Sequence, residues 1–229
     1  MKVKLLFYGL LTVFMIPQTQ AQDIEEEDKP GIQFGIQGGL SLQKFAGTDY
    51  WGDKLSDRSA PGIHGGGNII LPVFHNFYIQ PGLLYSVKGS KQDIITENIT
   101  KTVFLSYIEL PLNILFRPET GRGHLLIGAG AYIGYGISGR ERTKTGTYTI
   151  EVPVKFIADA SGEPTSYAYY RPFDAGVNFY IGYELYGGII FQLEAQMGFL
   201  ELNSDYGQTN DQTVKKNRGF GFSVGYRFK

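Results

Sequence analysis

The sequence predicts an all-β protein, an eight-stranded antiparallel up-and-down transmembrane β-barrel with long extracellular loops. Three observations lead to this prediction: bulky and small residues alternate in eight segments, the connections between them are alternately short and long, and the chain begins like a secreted protein. The alternation is clearest in the last segment, "RGFGFSVGYRFK" (218–229). Alternation indicates a β-strand, because successive side chains of a strand point to opposite faces.

The first 21 residues have the pattern of a secretory signal peptide. Two lysines precede an apolar run of about 12 residues, which is too short to span a bilayer as a helix. A membrane anchor is the alternative interpretation. Small residues place the cleavage near Ala21, so we expect a signal peptide at 1–21, a flexible acidic leader at 22–30 and the barrel domain at 31–229.

The alternating segments follow one another along the rest of the chain without an α-helical apolar repeat. We predict strands at 31–43, 62–71, 77–89, 102–116, 125–138, 174–185, 188–198 and 218–229. The connections after the second, fourth and sixth strands are short, and the others are long. Outer-membrane barrels have this asymmetry, with short periplasmic turns and long extracellular loops.

The bulky face of each strand is predicted to meet lipid. A secreted lipocalin-like barrel is the alternative, and it would turn the bulky residues inward. The second face is mainly Gly, Gln, Asn and Ser, which suits the narrow interior of eight strands better than it suits water. Aromatic residues near both strand ends favour the membrane, where they form girdles. The predicted periplasmic girdle contains Phe77, Phe116, Tyr183, Tyr226 and Phe228, and the opposite one Phe45, Phe104, Tyr135, Phe173 and Phe199.

Several charged residues fall on the predicted interior face. They are Lys88, Glu109, Glu184, Glu194 and Arg227. Charges in a confined interior need partners, so we expect a salt-bridge network that fills the barrel, with a conducting path as the alternative. Arg227 is expected to pair with Glu184 across the lumen, because both lie near the short-turn end.

Two further features qualify the strand assignment. Pro81 and Pro111 each remove a hydrogen-bond donor within a strand, so we expect a β-bulge near one of them. The long segment 139–172 is expected to form an ordered hairpin in which 147–157 pairs with 165–171, with its tip near residues 161–162.

The sequence offers no strong signal for catalysis or for a cofactor. Gly128, Gly130 and Gly134 lie within one strand and not at a strand-to-helix turn, so they do not form a nucleotide-binding fingerprint. Three aspartates at 49, 53 and 57 are candidate calcium ligands without EF-hand spacing, and a solvated acidic loop is the preferred interpretation. The absence of cysteine excludes thiolate metal sites, and a net charge of −1 gives no basic field for nucleic acid.

Six segments keep an order and spacing that we also see in a known family. They are "FGIQGGLSL" (34–42), "IQPGLLYSVKGS" (79–90), "YIELPLNILF" (107–116), "GAGAYIGYGIS" (128–138), "DAGVNFYIGYEL" (174–185) and "GFSVGYRF" (221–228). Together they resemble the PorT-type outer-membrane β-barrel proteins. The resemblance implies an eight-stranded barrel inserted by the outer-membrane assembly machinery, and it adds a link to protein secretion.

We therefore predict a monomeric, non-enzymatic outer-membrane protein that binds or assembles through its extracellular loops. The alternatives are a lipid-modifying barrel enzyme and a narrow pore. The expected partners are outer-membrane lipids, the barrel-assembly machinery and an unidentified protein or ligand at the loops, without nucleic acid, metal or cofactor.

Overall fold

The structure is a computed structural model, and it describes residues 31–94, 99–208 and 210–228. The predicted signal peptide and acidic leader therefore lie outside the described residues. Within the described part of the chain, no helix is long and apolar enough to span a membrane.

The described residues form eleven β-strands. They are β1 (Gln33–Thr48), β2 (Arg58–Phe74), β3 (Phe77–Ile94), β4 (Ile99–Phe116), β5 (Glu119–Thr120), β6 (Gly123–Thr145), β7 (Tyr148–Phe156), β8 (Ala168–Tyr170), β9 (Phe173–Leu185), β10 (Ile189–Gly198) and β11 (Val214–Phe228).

Eight of these strands close into an antiparallel ring in the order β1, β2, β3, β4, β6, β9, β10, β11. The ring closes where β11 pairs with β1, from Phe34 opposite Phe228 to Thr48 opposite Val214. We call this β1–β11 ladder the closing seam. The predicted eight-stranded up-and-down barrel is confirmed.

The connections at the two ends of the barrel differ in length, as predicted from the sequence. We call them the short-turn end, which carries both described chain ends, and the long-loop end. At the long-loop end β3 and β4 stay paired up to Ile94 opposite Ile99, so most of the predicted loop at 90–101 is strand. β6 continues beside β4 up to Thr145. The sheet thus extends beyond the apolar band on this side.

Along each barrel strand, exposed apolar side chains alternate with inward glycine and polar residues. Inward positions require glycine where a neighbouring strand approaches too closely to leave room for a Cβ atom. At Gly39 a Cβ atom would collide with the carbonyl oxygen of Phe222 on the neighbouring strand. The small face is therefore the inner face, and the outer face is a continuous apolar wall.

The β-bulge expected near Pro81 or Pro111 does not occur at either proline, and the shift nearest to Pro111 is at Ser106–Tyr107 in the same strand. The register is the same on both sides of each proline, and shifts occur instead at Ser59–His64, Pro72–Phe74 and Ser106–Tyr107. Around Pro81 the ladders to β2 and β4 are interrupted over two residues and then resume in the same register. A missing N–H thus weakens the ladder locally and needs no inserted residue.

The segment 139–172 is ordered, and part of 147–157 does pair with part of 165–171, but the predicted hairpin between them is wrong. The hairpin joins β6 to β7 through a turn at Gly146, which has a φ of 56° that favours glycine. β8 then pairs with β7 in parallel and not as an antiparallel return. The long extension of β6 offers β7 a continuous partner strand, whereas β8 has only three residues.

The predicted aromatic residues of the short-turn end lie together at that rim. The ring centroids of Phe77 and Phe116 are 4.9 Å apart, and those of Tyr226 and Phe228 are 5.1 Å apart. The hydroxyl of Tyr183 donates to a turn carbonyl oxygen 2.6 Å away. At the opposite end one assignment is wrong, because Phe45 is buried inside the barrel.

Candidate functional site

The interior charges form three separate clusters along the barrel and not one network. All five predicted residues point inward, and each cluster contains at least one of them. Neutral side chains and further charged residues complete each cluster. The positions of the three clusters decide whether the barrel interior can conduct ions, catalyse a reaction or only stabilise the fold.

The Lys88 cluster lies towards the long-loop end. The Lys88 ammonium is 0% exposed and lies 2.6 Å from a Glu109 oxygen and 2.8 Å from an Asp174 oxygen. The hydroxyl of Tyr132 and the amide of Asn217 donate to the same Asp174 oxygen, at 3.2 and 2.8 Å. Lys88 also lies 4.3 Å from the centre of the Tyr132 ring, within cation–π range. One buried cation is therefore shared between two carboxylates.

The Glu184 cluster lies near the short-turn end. Arg227 donates from Nε to Glu184 at 2.6 Å, the pair that we expected from the sequence. Arg117 donates to both oxygens of the same carboxylate, at 2.7 and 3.0 Å. One buried carboxylate is therefore shared between two guanidinium groups, in the fork geometry that makes such pairs strong.

The Glu194 cluster lies between the other two and contains the three residue types of a hydrolase triad. His64 Nε2 is 2.6 Å from the Ser223 hydroxyl, which in turn donates to Glu194. Glu194 also lies 3.5 Å from the same His64 nitrogen. In a catalytic triad the acid binds the other ring nitrogen and the serine donates to the histidine. The connections here do not match that arrangement.

A polar cavity of about 60 Å³ lies inside the barrel beside the Glu194 cluster. Amide side chains form much of its wall: Gln37, Gln80, Asn113, Asn178, Gln192 and Gln196. The cavity is far smaller than the roughly 300–1,000 Å³ of typical ligand pockets. It leaves no room for a substrate of ordinary size.

Two apolar layers interrupt the polar interior. Towards the short-turn end, at the level of the Glu184 cluster, the layer consists of Ile70, Tyr78, Leu115, Leu126, Tyr180 and Ile190. At the long-loop end a larger core, which we call the cap, consists of Phe45, Val103, Leu105, Tyr107, Val154, Ala168, Tyr170 and Leu202. The polar side chains of the interior therefore do not form one continuous column.

The cap is built partly by the barrel strands and partly by segments outside them, among them β7 and β8. The Phe156 ring from β7 packs on Tyr107 with centroids 5.9 Å apart, above Gly136, where a Cβ atom would collide with the ring. Lys215 lies beside the cap, with its ammonium group 6.0 Å from the centre of the Tyr170 ring, and is desolvated. Burial lowers the pKa of Lys215, with repulsion from nearby Lys101 in the same direction. The cap is therefore a packed core that disfavours charge, and not a set of free loops.

The β6–β7 hairpin extends past the cap and is amphipathic. Val152 packs against the cap, and Ile150 and Tyr148 continue the same face of β7 beyond it. They are 65% and 79% exposed, which is unusual for large apolar residues on an ordered strand outside a membrane. On the other face Arg142 donates to Glu151 at 2.9 and 3.0 Å. The hairpin thus presents an uncovered apolar face.

The aspartates of the first long loop serve the loop itself. An Asp49 oxygen accepts the backbone N–H groups of Trp51 and Asp53, at 3.0 and 2.9 Å. Asp57 accepts the Ser90 hydroxyl at 2.5 Å, and burial raises the pKa of its carboxyl group. Across the described residues, no group of three potential ligands is arranged to hold a metal ion.

Sequence reasoning missed several members of the clusters. Arg117 was assigned to a turn, although it directly follows the last residue of β4 and turns back into the barrel. Asp174 lay on the predicted inner face of its strand, so its alternation was a usable signal. His64 and Ser223 were also inward by alternation, but their contact depends on the register of non-adjacent strands.

A family model matches most of the chain. The family model described as "Outer membrane protein beta-barrel domain" matches residues 20–204, which is more than half of the 229 residues. No curated protein sequence matches the chain significantly.

Three solved structures illustrate the structural similarity. Ail, the attachment invasion locus protein of Yersinia pestis, is 8% identical, with coverage of 86% of this chain and 98% of Ail and a TM-score of 0.37. Neisserial surface protein A is 9% identical, with 87% and 100% coverage and a TM-score of 0.45. The N-terminal β-barrel domain of Pseudomonas aeruginosa OprF is 11% identical, with 86% and 100% coverage and a TM-score of 0.35.

Proposed function

Because this chain belongs to the outer-membrane β-barrel domain family, we propose that it is a non-enzymatic binding element that presents the β6–β7 hairpin to a partner outside the cell. One observation carries the proposal. Tyr148 and Ile150 are exposed on an ordered strand beyond the apolar wall. Large exposed apolar residues in such a place favour a protein interface.

The partner chemistry follows from the edge of β7. Residues 148–153 pair with β6 on one side, and β8 pairs only with residues 154–156 on the other. No described strand pairs with the second edge of 148–153, so this edge offers backbone donors and acceptors to an extended segment, beside an apolar face. We propose an extended peptide segment with apolar side chains at alternate positions as the partner.

The interior argues against the two alternatives. A narrow pore needs a continuous polar path, whereas two apolar layers interrupt the interior of this barrel. A lipid-modifying hydrolase needs an accessible nucleophile. The Ser223 hydroxyl donates a hydrogen bond to Glu194 inside the barrel, beside a cavity of about 60 Å³. Neither arrangement supports conduction or hydrolysis.

Maturation and context complete the proposal. We propose that residues 1–21 are removed near Ala21, that 22–30 form a short leader, and that the barrel is inserted as a monomer by the outer-membrane assembly machinery. The long-loop end then faces the medium, as in other outer-membrane barrels. The PorT-type resemblance adds protein secretion as a setting in which the partner is met.

Site-specific photo-crosslinking on intact cells tests the binding role. A photoreactive amino acid at position 148 or 150 is expected to give a defined crosslinked product. The same probe at position 149, which lies on the opposite face of the same strand, is the matched control and is expected to give none. Equal products at 149 and 150, or none at any position, would contradict the proposal. Heat-dependent mobility on gels shows that each variant is folded.

A further inference from the structure

Three cations lie together on the outer surface of the closing seam. Lys44 of β1 is directly opposite Arg218 of β11, and Lys216 is opposite Ala46. By alternation these side chains share the outer face with Leu42 and Phe220. Lys44 and Arg218 are exposed and Lys216 is half-buried. We call these three residues the seam cluster.

The seam cluster forms no salt bridge in the described part of the chain, although the Asp57 carboxyl group lies close enough to feel the charge of Lys44. No described carboxylate lies within 4.0 Å of Lys44, Lys216 or Arg218. Side chains directly opposite each other in an antiparallel pair have Cβ atoms about 4.5–5.5 Å apart, and like charges there are destabilising. The arrangement therefore calls for an external anion.

Two arginines at the same end form salt bridges with carboxylates of the protein. Arg58 lies 2.5 Å from Asp93, and Arg142 lies 2.9 Å from Glu151. Lys144 also faces outward without a described carboxylate, but it stands alone between two threonines. A cluster of three cations thus distinguishes the seam from these neighbouring positions.

The height of the seam cluster on the barrel indicates the kind of anion. One step below it, Leu42 is opposite Phe220, and these side chains are 58% and 67% exposed. This pair forms the upper edge of the apolar wall at the seam. The cations directly above it lie at the level of lipid headgroups, with their aliphatic stems along the wall.

A groove in the outer wall begins at Arg218 of the seam cluster and runs across β11, β10, β9 and β6; Lys44 and Lys216 do not line it. It has a volume of about 550 Å³ and is lined by Arg218 and by outward residues of four strands, among them Ala129, Val177, Phe179, Ala195 and Phe220. The alanines are opposite Phe179 in the register of β6, β9 and β10, so the wall is recessed between larger side chains. The groove is apolar, and Arg218 lies at its upper end.

We propose that the seam cluster and the groove together bind a phosphorylated lipid of the outer leaflet. The guanidinium of Arg218 supplies a planar fork for phosphate, and the lysines add point charges beside it. The groove beneath holds an acyl chain of the same molecule. A free phosphate would use only the cations, and a lipid with an uncharged headgroup would use only the groove. This inference is independent of the partner-binding role of the hairpin.

Lipid binding by the folded protein in detergent micelles tests the proposal. The probe is diphosphoryl lipid A, compared with the same lipid after removal of its phosphates, and native mass spectrometry measures the bound fraction. The variant Lys44→Gln/Lys216→Gln/Arg218→Gln is expected to raise the apparent Kd at least about tenfold, the loss of one or more charge-assisted contacts. The matched control Lys91→Gln/Lys144→Gln/Arg122→Gln removes the same charge elsewhere and is expected to bind like the wild type.

A second variant tests the groove separately. Ala195→Phe fills the recess without a change of charge and is expected to weaken binding of the phosphorylated lipid several-fold. If the triple variant does not fold, Arg218→Gln alone replaces it, with a smaller expected rise in Kd.

Three results would overturn the proposal. Equal loss of binding in the site and control variants would show a general charge effect. Equal binding of the dephosphorylated lipid would remove the role of the cations. Full competition by millimolar inorganic phosphate would indicate a phosphate site without a lipid.

Discussion

The Lys88 and Glu184 clusters follow the same plan with opposite signs. In the first, one ammonium is shared by two carboxylates, and in the second, one carboxylate is shared by two guanidinium groups. Each has a central ion with two partners, so the central residue and its partners are not equivalent. Loss of a partner leaves an ion pair, whereas loss of the centre leaves two like charges buried side by side.

The two clusters also differ in the hydrogen bonds that the groups around the central ion make. The carboxylates around Lys88 receive neutral donors, among them Tyr132 and Asn217 on Asp174 and Gln196 on Glu109. The Glu184 cluster relies on guanidinium geometry, because Arg117 binds both carboxylate oxygens. The comparison teaches that an uneven set of buried charges is completed unequally: the outer carboxylates around Lys88 have second donors, whereas the buried Nη1 of Arg227 has no hydrogen-bond partner in the described part of the chain.

The largest effect is expected from Lys88→Met, which removes a centre. Glu109 and Asp174 would then be buried without a cation, at a cost of roughly 3–5 kcal/mol in the free energy of unfolding. Urea unfolding of the refolded barrel in lipid vesicles measures this loss. Addition of Glu109→Gln and Asp174→Asn to the same variant should restore much of the stability. If it does not, packing of the lysine stem and not charge explains the loss.

A smaller effect is expected when the Glu184 cluster loses a partner instead of its centre. Arg227→Ala leaves Glu184 paired with Arg117 and should cost roughly 1–3 kcal/mol, whereas Glu184→Gln leaves two cations together and should cost more. Unfolding under the same conditions gives the order of the two variants. Equal or reversed costs would break the distinction between centre and partner.

The smallest effect concerns one neutral donor of the Lys88 cluster. Tyr132→Phe removes the hydrogen bond to Asp174 and leaves the ring beneath Lys88, so we expect a loss of about 1 kcal/mol. Tyr135→Phe is the matched control on the same strand, because Tyr135 points to the outer face and is exposed. A loss shared by both variants would show that the hydroxyl of Tyr132 does not support the cluster.

The sequence predicts the ring well because alternation is a local property of each strand. Local patterns also placed Lys88, Glu109, Glu184 and Arg227 on the inner face. Local patterns do not show which residues of two distant strands lie at the same height in the barrel, because this depends on the stagger around the whole ring. The clusters were therefore predicted as one network, whereas the register separates them.

The wrong predictions for Phe45 and for the pairing of β7 both concern the ends of strands above the apolar wall. Phe45 continues the alternation of β1 but lies above the apolar wall, where an inward aromatic packs into the cap. The pairing of β7 depended on how far β6 extends, and the run "GRERTKT" (139–145) has no apolar alternation that would reveal a strand. Polar strands above the membrane are stabilised by their neighbours in the sheet, and composition alone does not show this.

The closing seam has a consequence for the order of folding. It joins Phe34 to Phe228, so the sheet closes only after the last strand of the chain has been made. Until then β1 keeps a free edge of backbone donors and acceptors, which hydrocarbon does not tolerate. Stable insertion therefore requires the complete ring, and a chain truncated before Val214 has no intermediate size at which its barrel is closed.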